Sequence, residues 1–188
     1  MGNIFPGSGG PAAGFDQPLE MLAACHERIE AQLGILDRLP AHLAAHGADP
    51  EACAAAARVL RYFDEAGPKH HADEESGLFP LLDGRTELIQ LLGVLREDHR
   101  SMERVYALLR PLLQAVVAGR ADTWRTEIAE QFCAQYRAHI ACENAHLLPV
   151  AARLLATSDR ARLGAAMAAR RTGPGTAAPT PGVHDGGH

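Results

Sequence analysis

The chain has 188 residues, 47% hydrophobic, 22% charged and 5% aromatic, with a formal net charge of −5. That length suits one domain whose core needs no disulfide staples, and the acidic balance speaks against binding driven by phosphate contacts to nucleic acid. Ala and Leu dominate over Val, Ile, Thr and aromatics, so an all-helical domain is expected rather than a sandwich or barrel.

Residues 1–15 are Gly/Pro-rich and read as disordered, as does the tail 172–188, which leaves a domain at 16–171. A first helix is predicted from Pro18 to about Ala45, with Asp16 as its N-cap. A second starts near Asp49-Pro50 and reaches about Leu82. Inside it Gly67-Pro68 should kink or bulge the helix, because the apolar stripe continues across the break. A third helix follows Gly84 and ends at Gly119, and a fourth runs from Asp122 to about Leu155. Ser158 or Asp159 then caps a short fifth helix ending near Arg171, which should pack across the bundle or serve a dimer. Connections this short make sequential helices antiparallel, which gives an all-α, up-down-up-down four-helix bundle with a short C-terminal helix.

Each long helix carries an apolar stripe at three- and four-residue spacing, and each stripe is interrupted by one histidine: His26, His70, His99 and His139. The second and fourth stripes each add a glutamate one turn later, Glu74 and Glu143. A single core histidine is ordinarily a satisfied buried residue. Six polar groups at one level of a bundle are costly unless they pair in a network or hold a metal. The chain also repeats itself: HHADEESGLFP from His70 matches HIACENAHLLP from His139, and each HxxxE follows a helix with one core histidine. Two helical hairpins related by a pseudo-twofold would bring the six side chains to a common centre.

Imidazole and carboxylate donors without a thiol pattern suit iron, manganese or zinc. Two histidines per metal and two bridging glutamates would give each of two metals four protein ligands. An oxo or hydroxo bridge would add a fifth and leave one position open, for which redox-active iron is the natural occupant. The pattern H…HxxxE…H…HxxxE, with CHERIE around His26 and HHxxEExxLFP after it, resembles the bacterial hemerythrin-like HHE cation-binding domains over residues 18–170. The resemblance implies a four-helix bundle around a non-haem di-iron centre held by His26, His70, Glu74, His99, His139 and Glu143. Oxygen-carrying members have a second histidine one turn after the third-helix ligand. Here that place is Glu103, which is either an additional ligand or a solvated partner of Arg100 or Arg104, and reversible oxygen carriage is put in doubt.

Two classes of function follow. One is a binding module that takes O2 or NO, or senses iron or redox state. The other is a di-iron oxidoreductase that removes peroxide or nitric oxide. A metal-free interaction bundle is a third reading. A role in iron–sulfur repair is not expected, because the family members that perform it carry a separate N-terminal domain not expected here. His71 and Glu75 lie about 100° around the helix from His70 and Glu74 and are read as a pair outside the ligand ring or on the surface. His146 is either a support for Glu143 or half-exposed, Tyr106 and Tyr136 are core aromatics with satisfied hydroxyls, and Cys25 and Cys142 are buried thiols. His42, His46, His184 and His188 are assigned no function. Without a secretory signal, a membrane-length apolar run or a CxxC pair, the protein is expected in the cytoplasm, reduced, as a monomer or homodimer. No Gly-rich phosphate loop, nucleophile elbow or basic aromatic patch is present in the sequence.

Overall fold

A computed structural model describes residues 14–172. The segments expected to be disordered lie outside these residues, except Gly14, Phe15 and Thr172. Five helices follow one another, and no strand occurs among the described residues. Helix α1 is Pro18–His46, and α2 is a continuous helical run over 50–82. A 3-10 turn, Thr86–Leu88, leads into α3, Ile89–Val117. Helix α4 covers 126–154, and α5 is Thr157–Thr172. Helix α1 packs on α2, α2 on α3, α3 on α4, and α4 returns to α1.

Three starts differ from expectation, and in the last of them α5 begins at Thr157, so that Ser158 and Asp159, expected as its cap, lie inside its first turn. Gln17 rather than Asp16 occupies the cap of α1, with no side-chain hydrogen bond. Helix α4 begins at Thr126 instead of Asp122, because the chain makes a turn in which Trp124 N–H donates to Ala121 O and Arg125 is extended. Asp49 caps α2 as its type favours, accepting from Ala52 N–H at 2.9 Å. The same carboxylate oxygen lies 2.9 Å from His42 Nε2, so His42 ties the end of α1 to the start of α2.

Helix α2 runs through Gly67-Pro68 without ending, on a π-helical turn at Tyr62–Ala66. Two further π turns, Glu74–Leu78 and Glu143–Leu147, were not foreseen. Each of the three ends two residues before a proline: Pro68, Pro80 and Pro149. Proline lacks an N–H and its ring crowds the carbonyl four residues back. A turn widened to an i to i+5 bond relieves that crowding, as where Phe79 N–H donates to Glu74 O and Leu148 N–H to Glu143 O.

The apolar core is divided into two clusters. One holds Ile29, Leu33, Phe63, Met102, Leu109 and Phe132. The other holds Leu22, Leu78, Leu95, Leu147, Leu163 and Met167. In every long helix the changeover falls at the residues the stripes single out: His26 between Leu22 and Ile29, His70 and Glu74 between Phe63 and Leu78, His99 between Leu95 and Met102, His139 and Glu143 between Tyr136 and Leu147. A polar layer therefore crosses the bundle between two hydrophobic ones.

Helix α5 packs on α1 and on the second half of α2, burying Leu163 and Met167. It is also held electrostatically. Asp73 of α2 is fully buried and accepts from Arg170 Nη1 at 2.7 Å and Arg171 Nη2 at 2.6 Å. Gly77 lets α5 approach, since a Cβ there would meet Leu163 Cδ1 at 2.8 Å. The Phe15 ring lies 5.8 Å from the Arg171 guanidinium, which brings the end of the expected disordered segment against α5.

Candidate metal centre

All six singled-out residues are buried in the polar layer, with Glu74 and Glu143 fully enclosed. They form two donor groups, His26, His70, Glu74 and Glu143, and Glu74, His99, His139 and Glu143. Within each group one atom per residue lies within 4.8 Å of every other, and both carboxylates belong to both groups. Each glutamate opens a π turn, so the widened backbone sets its side chain.

The contacts inside the layer are close yet incomplete. His26 Nε2 is 3.1 Å from Glu143 Oε2 and 3.8 Å from Glu74 Oε1. His70 Nε2 and His99 Nε2 are each 3.4 Å from Glu74, and His139 Nε2 is 3.4 Å from Glu143. None of the four carboxylate oxygens, nor His26 Nε2, has a hydrogen-bond partner of proper geometry among the described residues. Buried oxygens in that state are strongly unfavourable. Burial pulls the His26 imidazole down, but its contacts to Glu143 and Glu74 outweigh that and lift its pKa to about 10. Burial also opposes ionisation of Glu74, yet His70 and the other imidazoles hold its carboxyl well below the usual range.

The far ring nitrogens explain which way the imidazoles face. His26 Nδ1–H donates to Asn144 Oδ1 at 2.8 Å, His99 Nδ1–H to Glu75 Oε1 at 2.7 Å, and His139 Nδ1–H to Asp98 Oδ2 at 3.4 Å. These bonds put a proton on Nδ1 and turn Nε2 inward, so that a cation entering the layer can displace any proton held there and take its lone pair. His99 Nε2 and His139 Nε2 face one another at 3.0 Å, close enough to share one proton in a hydrogen bond or to flank a cation. Convergent lone pairs, orphaned carboxylate oxygens and oriented imidazoles fit a metal site.

Other expected residues fall differently. Glu103 is exposed and stands outside both donor groups. Arg100 and Arg104, its suggested partners, both donate to Glu97 instead. Glu103 borders a cavity of about 50 Å³ together with His71, Met102, Tyr106 and Tyr136. His71 and Glu75 diverge. His71 is buried and stacks on His99 at 4.0 Å between centroids, with its Nε2 3.3 Å from the Tyr136 hydroxyl. Burial, with His99 and His70 beside it, keeps His71 neutral. Glu75 reaches sideways to His99. His146 is exposed, Cys25 is a buried thiol and Cys142 a half-buried one. The Tyr106 hydroxyl donates to Asp64 Oδ1 at 2.8 Å. His184 and His188 lie outside the described residues.

The roles of Glu75, Asn144 and Asp98 were not anticipated. A signal for two of them exists in the repeat, since Glu75 follows Glu74 as Asn144 follows Glu143. No helix among the described residues is long and apolar enough to cross a membrane. A curated protein of Haemophilus influenzae, described as uncharacterized, is 29% identical over 160 residues, covering 85% of this chain and 92% of the relative. The family model of the hemerythrin HHE cation binding domain matches residues 17–151, the span that contains all six converging side chains. The chain therefore belongs to the hemerythrin HHE cation-binding family.

Proposed function

We propose that the chain is a non-haem di-iron protein of up-down-up-down bundle topology. Its ligands are His26, His70, Glu74, His99, His139 and Glu143, and it binds a small diatomic molecule, O2 or NO, or senses iron or redox state in the cytoplasm. The observation that carries this reading is the sharing of both buried carboxylates by two four-residue donor groups. One cation would leave half of the imidazoles unused, whereas two bridged cations use every inward donor. When bound, such a pair of irons supplies an exchangeable coordination position and accessible redox states. The chain's own part is to fix the tautomers through Asn144, Glu75 and Asp98, to exclude bulk water with the apolar clusters, and to keep two carboxylates ionised in a dry layer.

Metal analysis and a visible spectrum on protein from iron-fed cells test this directly. About two irons per chain, with oxo-to-iron charge-transfer bands, is the expected result. Protein that stays metal-free after iron loading would overturn it. The supporting bonds have their own expected effect: Glu75→Ala should weaken iron retention about 10- to 100-fold, measured by competition with a chelator. Unchanged retention would show that the His99 tautomer needs no fixing.

A second reading, turnover of peroxide or nitric oxide, draws on the cavity bordered by Glu103. There the Tyr136 hydroxyl and His71 lie between an exposed carboxylate and the ligand-layer residue His99. The Tyr136–His71 hydrogen bond gives this cavity a titratable pair beside the ring of His99, a place from which a proton could be supplied to a bound substrate. Rapid consumption of either substrate by iron-loaded protein, lost in His70→Ala, would establish turnover over simple binding.

A further inference from the structure

We propose that the outer groove between α1 and α2 is a binding site for a small, multiply charged organic oxyanion, either a phosphate ester or a polycarboxylate. A cleft of about 370 Å³ is lined there by Arg28, Gln32, Arg58, Arg61, Tyr62 and Glu65. A second cleft of about 190 Å³ shares Arg28, Tyr62 and Glu65 with the first and adds Cys25, Lys69 and Arg171. Together they form one groove of the size that small-molecule sites occupy.

The charge of this groove runs against that of the molecule. The chain as a whole carries −5, yet Arg28, Arg58, Arg61 and Lys69 line the two clefts beside one carboxylate, Glu65. Several arginines elsewhere on the surface are answered by acids: Arg137 by Glu30 and Asp37, Arg110 by Asp64, Arg96 by Asp83. Among the described residues, Arg28, Arg61 and Lys69 have no carboxylate within 4.0 Å. Arg28 instead points its Nη1 at the Cys25 thiol, a weak acceptor 3.6 Å away. Arg171 is already committed to Asp73 and closes one end. Arginine forks of this kind recognise carboxylate and phosphate oxygens in pairs.

The floor of the groove asks for more than an inorganic ion. Gln32 is 3% exposed, and its Nε2 donates to Arg28 O at 3.5 Å while its Oε1 has no partner. That oxygen is shielded from solvent, and a turn of the Gln32 side chain into the cleft would offer it to a ligand hydroxyl or amine. Tyr62 supplies a half-buried aromatic wall against which a carbon skeleton can pack. Tyr62 also opens the π turn Tyr62–Ala66, and Glu65 and Ala66 of the same turn line both clefts. The other two π turns each deliver a glutamate to the metal layer, whereas this one delivers its side chains to the groove. Distortions of this kind concentrate at functional sites.

Calorimetric titration of iron-loaded, full-length protein at about 150 mM salt tests the site, with pyrophosphate, AMP and citrate as probes. One-to-one binding of AMP or citrate, tighter than about 1 mM, is expected, with pyrophosphate weaker for want of a partner for Gln32. AMP and citrate separate the phosphate from the carboxylate source. The double variant Arg28→Gln, Arg61→Gln should lose about tenfold or more in affinity, with iron content and helicity unchanged, while Arg120→Gln binds as wild type. Absence of saturable binding by every probe up to about 5 mM would overturn the proposal, and so would equal binding by the double variant. Because citrate and pyrophosphate also chelate iron, iron content is read before and after each titration and only binding without iron loss is scored, which separates failure of the groove from failure of the metal centre.

Discussion

Glu74→Leu should make the metal-free protein more stable and the iron-treated protein less so. In the metal-free chain this carboxylate is fully enclosed, and neither oxygen has a properly formed hydrogen bond. Replacing it with an apolar side chain of similar size removes the cost of burying two unpaired oxygens, and the imidazoles around it turn neutral except where Glu143 still faces them, as it does His26. A gain of about 1–3 kcal/mol follows from losing these unsatisfied buried oxygens, or a rise of about 2–4 °C in melting temperature for each kcal/mol. In iron the order reverses. Wild type should gain about 2.7 kcal/mol at a free metal concentration near 100 times its dissociation constant, and the variant should gain little, because Glu74 belongs to both donor groups. Bound iron should fall from about two per chain to well below one, whereas His70→Ala, which touches one group, should keep about one. Retention of two irons by Glu74→Leu would sink the bridging assignment. A lower melting temperature for the metal-free variant would favour a hydrogen-bonded network over a metal layer.

Removing both arginines that reach Asp73 should rank with the most damaging changes outside the centre. Arg170→Ala with Arg171→Ala leaves a fully buried carboxylate without a cation. The expected loss is about 3–5 kcal/mol, read by thermal melting as roughly 6–20 °C. Helix α5 should detach, exposing the segment after Leu155 to protease. Adding Asp73→Leu to the double variant removes the stranded charge and should recover most of the stability. A loss under about 1 kcal/mol in the double variant would mean that Asp73 finds water or another donor.

Helix number, the duplicated hairpin and the convergence of six side chains were legible because they depend on spacing along single helices. His26 and His99 share no local motif, yet each interrupts a run of leucines at the level where HxxxE occurs on its neighbour. What escaped depends on contacts between helices. Asp98, Glu75 and Asn144 read as ordinary exposed polar residues until the neighbouring helix is in place, and His71 hides its burial behind a position 100° away from His70. Asp73 looks like a surface acid in sequence because its arginines lie 97 and 98 residues away. Two of three π turns were missed although Pro80 and Pro149 repeat the cue given by Pro68. The glycine before Pro68 drew attention there, and the leucine runs around the other two concealed it.

The repeat is not perfect where the imidazoles are anchored. Exchanging α1 with α3 and α2 with α4 carries the Glu75–His99 bond onto the Asn144–His26 bond. It carries the Asp98–His139 bond onto Cys25 and His70, where a thiol stands in place of the acid and His70 Nδ1 has no hydrogen-bond partner. Both rings on one side are thus gripped by carboxylates, which make an imidazole more basic, while the other side has one neutral amide and one unanchored ring. Two cations in this layer would not be held alike. The His99/His139 side would fill first and empty last, so a half-loaded protein would persist over a span of metal concentrations that an evenly anchored pair would cross in a single step.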